Sequence, residues 1–184
     1  PPLGYAQTHE PLRTSAQDIG EIRSMTTRHP SASPTRVRFG SRPAIAAGFV
    51  RRQGQDELFE AVFTRAEPRT VLTGMRGSGK TQLAAAVATR CEEEEWPLAA
   101  WIHATSRKEI LAGLYKLALR IGIDAPKNIP LEVIVQRLLD QLRSAEAADR
   151  LFVFDNVENL DDLRDLIPEG AGVRVLITTP RHFD

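Results

Sequence analysis

The chain of 184 residues is 42% hydrophobic, which suits one core and leaves too little for two full domains. Its 24 Lys+Arg balance 24 Asp+Glu, but unevenly, because residues 1–53 hold 8 basic against 3 acidic residues and the remainder 16 against 21. The single cysteine, Cys91, excludes an internal disulfide, and no apolar run reaches the roughly 18 residues of a membrane span, so a cytoplasmic protein with no membrane partner is expected.

Residues 1–44 come first in chain order. They contain Pro1, Pro2, Pro11, Pro30, Pro34 and Pro43, are dense in Ser, Thr and Arg, and show no sustained apolar period. This composition reads as a flexible or linker segment. A short helix over about 16–25 is the one element it suggests. Arginines there raise the question of nucleic acid, but a solvated segment is the reading adopted. The chain opens on Pro1 with no initiator Met or signal peptide, and is expected to be a segment of a longer protein.

Beyond Ala46 the pattern becomes one of alternating helices and short apolar strands. It predicts a helix at about 54–65, a strand at 70–73, a helix at 79–94 and a strand at 98–103. Helices at 107–121 and 130–145 follow, then a strand at 150–155, a short helix at 159–166 and a strand at 173–178. Helices between apolar strands imply crossover connections and a parallel sheet, hence an α/β fold in residues 45–184.

The stretch from Gly74 to Thr81, GMRGSGKT, follows the first apolar strand and opens the alanine-rich helix. It fits the G-x-x-x-x-G-K-[ST] phosphate loop in its required strand–loop–helix setting. Gly74, Gly77 and Gly79 let the backbone curl so that N–H groups converge on an anion, a path that side chains would obstruct. The helix adds its unpaired first-turn N–H groups and the positive end of its dipole. Lys80 supplies a cation for β- and γ-phosphates, and the Thr81 hydroxyl is a ligand for Mg²⁺. Arg76, inside the loop, faces either phosphate or solvent.

A triphosphate site also needs a carboxylate for the metal. LFVFDNVEN, residues 151–159, provides it, because four apolar residues make a buried strand and Asp155 stands at its carboxyl end, where parallel sheets bind ligands. Asn156 follows, where rapid ATPases often place a second acid to orient water. Glu158 and Asp161 are read as acids serving a helix dipole. Glu92 to Glu95 read as a solvated, fraying helix end that opposes the dipole. Trp96 and Trp101 read as packing residues, and Cys91 as a small buried one. The four histidines, His9, His29, His103 and His182, show no zinc spacing.

Taken together, GFVRRQGQDELFEAV, GMRGSGKTQLA, LFVFDN and VRVLITTPR resemble the NB-ARC group of STAND nucleotide-binding switches over about residues 45–183. The resemblance implies a P-loop NTPase three-layer sandwich with a mainly parallel sheet, ending before the family's helical and winged-helix modules. In its strand order, the metal strand lies two positions from the phosphate-loop strand, with VRVLITT between them. It implies ATP or ADP with Mg²⁺ as ligands. Val50 and Arg52 fall on the V-x-R pattern that crosses the adenine, and Gly74, Arg76, Gly77, Ser78, Gly79, Lys80, Thr81 and Gln82 fall on the phosphate side. Thr81 and Asp155 are the metal residues, and Lys80, Asp155 and Arg181 the catalytic ones. In relatives an arginine directly after the T-T reads the γ-phosphate; here Pro180 holds that place and Arg181 follows. The function implied is a signalling switch with slow ATP hydrolysis, working with other domains of a longer parent and leaving self-association on activation open. The alternatives are a non-hydrolysing, ADP-bound interaction scaffold and an AAA-type ATPase module.

Overall fold

A computed structural model describes residues 36–45 and 54–180. Five strands form one all-parallel sheet: β1 (Val37–Phe39), β2 (Arg69–Leu72), β3 (Leu98–His103), β4 (Arg150–Asp155) and β5 (Val173–Thr178). Their order across the sheet is β1-β3-β4-β5-β2. The strand that ends in Asp155 therefore lies two positions from the strand that feeds the glycine loop, with VRVLIT between them. The helices are α1 (Gln55–Phe59), which runs on into a π-helical turn (Glu60–Thr64), α2 (Lys80–Glu93), α3 (Arg107–Arg120) and α4 (Leu131–Ser144). Residues 159–166, expected as a short helix, form a single 3₁₀ turn at Leu160–Leu163. The helix expected over 16–25 lies outside the described residues. Among those described, no helix is long and apolar enough to cross a membrane.

The side-chain alternation of the strands explains the layering. Along β4, Phe152 and Phe154 point into one apolar cluster while Leu151 and Val153 point into another. Both clusters are needed because a central parallel strand is covered on each face. The first is closed by α3 through Ile110, Leu114 and Leu117, and by α4 through Ile134, Leu138 and Leu142. These positions recur at helical spacing, so each helix turns one apolar stripe to the sheet. Ser106 starts α3 by accepting from the Glu109 N–H. The second cluster is closed by α2 through Ala84, Ala85, Val87, Ala88 and Cys91, and by Leu58 and Val62. Alanines bring α2 close to the sheet. Burial pushes the Cys91 thiol up, so it stays neutral and behaves as a small apolar group. Trp101 packs in the same cluster, and Trp96 sets its ring edge-on to Phe63 at 5.4 Å, with the Arg174 guanidinium 4.7 Å from its centroid. Each fully buried Leu or Phe here stabilises the fold by roughly 1.5–3 kcal/mol relative to exposure.

Two features differ from the sequence expectation. Residues 37–39, assigned to the linker, form the edge strand β1, with Val37 opposite Leu98 and the Val37 N–H donating to Pro97 O at 2.8 Å. Three residues between Pro34 and Pro43 are too few for any periodicity, so only the tertiary partner specifies this strand. That partner includes the acidic run, which is neither solvated on all sides nor unpaired. Glu92 meets Arg42 at 2.8 Å and Arg38 at 3.8 Å, Glu94 meets Arg90 at 2.7 Å, and Glu95 meets Arg36 at 2.8 Å. Glu92 and Glu95 are thus offset by arginines brought in with β1, and Glu94 by Arg90 of α2 itself.

Candidate functional site

β2 ends at Leu72, and the chain then turns through the glycine loop into α2. Gly74, Gly77 and Gly79 hold φ of 144°, 77° and 89°, a region that residues with a Cβ rarely adopt. Gly79 is the N-cap of α2 and no side chain caps it, so the helix start is open toward the loop. The Lys80 ammonium lies back across the bend, donating to Gly74 O at 2.6 Å and Met75 O at 2.8 Å, with Ser78 Oγ at 3.4 Å. One cation thus fastens both ends of the loop.

Beside it stand the carboxyl ends of β4 and β5. Asp155 is only 7% exposed, and its Oδ1 accepts from Thr81 Oγ1 at 2.9 Å and from Thr178 Oγ1 at 2.7 Å. Thr178 in turn accepts from the Asn156 backbone N–H at 2.8 Å. Asn156 adopts a φ of 63°, a left-handed conformation that Asn tolerates better than most residues. That turn carries the chain off the end of β4, and its amide locks the turn to β5. Thr179, equally buried, donates its backbone N–H to Leu72 O at 3.0 Å and so ties the end of β5 to the strand before the loop.

The result is an open cleft of about 390 Å³ lined by Arg76, Gly77, Gly79, Lys80, Thr81 and Gln82 on one side and Asn156, Thr178 and Pro180 on the other. The residues read from the sequence as phosphate and metal ligands are therefore contiguous, with Asp155 directly behind Thr81. Gln82 donates to Ala44 O at 3.3 Å. Arg76 extends outward, 77% exposed, and its Nη2 donates to Glu158 Oε1 at 3.1 Å. Asp161 pairs with Arg164 at 2.8 Å along the 3₁₀ turn. Val50, Arg52 and Arg181 lie outside the described residues. Two participants escaped the sequence reading, Thr178 as a carboxylate partner and Glu158 as the partner of Arg76. The T-T at the end of β5 was the available signal for the first.

A hydroxyl and a carboxylate oxygen 2.9 Å apart form a hard-oxygen donor pair. Mg²⁺ keeps several waters and takes one or two protein ligands beside phosphate oxygens, so Thr81 and Asp155 fit it and need no further protein ligand. Among the described residues no group of three or more His, Cys, Asp or Glu is placed to hold a metal ion. Neither protein-family models nor curated proteins give a match to this chain.

Proposed function

We propose that the cleft binds an adenine nucleoside di- or triphosphate with Mg²⁺, and that the chain is the nucleotide-binding core of an NB-ARC-like, STAND-type regulatory switch built on the P-loop NTPase sandwich. The observation that carries this reading is the Thr81–Asp155 contact at 2.9 Å, which brings a metal-binding carboxylate from β4 to the first turn of the helix that the glycine loop opens. A glycine-rich surface turn alone has no reason to meet a buried acid. The strand order supports the same reading, as does the open start of α2 beside Lys80. Adenine rather than guanine follows from the resemblance of the motifs.

In this reading the loop amides and the α2 N-terminus hold the phosphates, and Lys80 leaves its two carbonyls to meet the β- and γ-oxygens. Thr81 and Asp155 hold Mg²⁺, which when bound neutralises charge on the phosphates. Thr178 keeps the Asp155 oxygen oriented. Hydrolysis is slow, because Asn156 offers no proton acceptor where a second acid would orient water, and its backbone is committed to Thr178. The same feature favours one alternative, a scaffold that holds ADP without turnover. Phosphate release from ATP followed over hours separates them: slow release marks the switch, and none marks the scaffold.

The binding claim is tested by denaturing the purified protein and identifying released nucleotide by chromatography. ADP or ATP is expected from the wild type, with none from Lys80→Ala. A wild-type protein that releases nothing and ignores added ATP and ADP overturns the reading.

A further inference from the structure

The ion pair between Arg76 and Glu158 has no part in the chemistry above. Arg76 stands in the middle of the glycine loop, and Glu158 lies three residues beyond Asp155, past the left-handed turn at Asn156. Their contact at 3.1 Å joins the loop to the segment after β4, at the rim where Arg76 lines the cleft. Side-chain exposures of 77% and 49% place the pair in solvent, and pairs of this kind contribute only about 0.2–1 kcal/mol. It is therefore a contact that a stronger anion displaces.

A guanidinium presents five N–H donors in a rigid fork that matches phosphate oxygens, and it binds them bidentately. Glu158 offers Arg76 a single carboxylate and at the same time repels any anion entering the cleft. If Thr81 and Asp155 hold Mg²⁺ beside the phosphates, the terminal phosphate of the proposed nucleotide would lie toward Asp155 and the end of β4. Glu158 follows that same strand end, so Arg76, which lines the cleft, extends outward to the segment that follows Asp155.

We infer that Arg76 and Glu158 form an exchange pair that sets the preference of this cleft between nucleoside triphosphate and diphosphate. With a triphosphate Arg76 leaves Glu158 for the terminal phosphate; with a diphosphate it stays on Glu158. The inference rests on the nucleotide reading of the cleft.

Its test is a set of dissociation constants for Mg²⁺–ATP and Mg²⁺–ADP, measured by calorimetry on the wild type, Arg76→Gln, Glu158→Gln, the double variant and Lys80→Ala. Both residues are exposed, so the single variants should keep the wild-type urea midpoint, which is checked first. Arg76→Gln is expected to weaken ATP about fivefold and ADP less than about twofold, the size of one exposed charge contact. Glu158→Gln should tighten ATP by about threefold to fivefold with little effect on ADP, and its effect should shrink in the Arg76→Gln background. Raising salt from 0.05 to 0.5 M, test concentrations chosen to span the screening range, should diminish all of these differences. Equal changes for ATP and ADP, or none, overturn the inference; if Lys80→Ala still abolishes binding, the nucleotide reading survives alone. A wild type that binds neither nucleotide removes both.

Discussion

Thr178 illustrates how one hydroxyl can organise the groups around a cleft through its own hydrogen bonds. Its hydroxyl donates to Asp155 at 2.7 Å in a buried bond and accepts from the Asn156 N–H at 2.8 Å in a part-buried one. Thr178→Val keeps the shape and removes both bonds, leaving the part-buried Asn156 N–H without this acceptor and Asp155 with one donor fewer. Loss of about 1–3 kcal/mol is expected, read from the urea midpoint, while Thr178→Ser should recover most of it. Recovery by Val instead of Ser would show that the methyl, not the hydroxyl, matters there. Lys80, Thr81 and Asp155, which the fold brings together, could be singled out in the sequence because each sits at a fixed offset within a local strand or loop pattern. Thr178 and Glu158 were not legible in their roles, since each acts across strands or loops and nothing in the local sequence records the partner. Asn156 was legible as an absent acid, but its left-handed φ, which favours Asn at that turn, became visible only in the folded chain.

At the scale of elements, the long helices and the inner strands followed from pattern because their apolar stripes are repeated over several turns or residues. β3, β4 and β5 fall where the runs at 98–103, 150–155 and 173–178 placed them. β1 did not, because three residues hold no period, and it is specified by its docking against β3 and α2. Gly40 shows how tight that docking is. It has φ of 85°, and a Cβ placed there would lie 1.9 Å from Trp101 O, on backbone that cannot move aside. Gly40→Ala therefore has to pull β1 off the β3 edge, with a cost of about 1–3 kcal/mol from the conformation alone. Native-state hydrogen exchange reads this element by element: the Val37–Phe39 amides should lose protection in the variant, while β4 amides should change only as far as global stability does. Higher salt should act in the same direction on the wild type, since Arg36, Arg38 and Arg42 hold β1 to the Glu92 and Glu95 carboxylates. Unchanged β1 protection in Gly40→Ala would mean that the strand is not specified by this close approach.

For the whole molecule, the uneven charge along the chain and the geometry of the cleft have a common consequence for stability. Basic residues near the start of the described chain are spent on the acidic end of α2, so they help close one edge of the sheet. The opposite part of the sheet, where β2, β5 and β4 end, gathers the open start of α2, Lys80 and the Asp155–Thr178 pair. A polyphosphate with Mg²⁺ would satisfy these groups only in the folded state, because the loop, α2 and two strands come together only there. Binding at 100 times the dissociation constant then adds about 2.7 kcal/mol. For a chain of this size each kcal/mol raises the melting temperature by about 2–4 °C, so Mg²⁺–ATP or Mg²⁺–ADP should raise it by roughly 5–11 °C. Lys80→Ala and Asp155→Ala should lose most of that rise, the second from a lower starting stability. Adenosine, which lacks phosphate, should give almost none. A rise that persists in Lys80→Ala would place the ligand somewhere other than the glycine loop, because the variant removes both the ammonium and its two bonds across the bend.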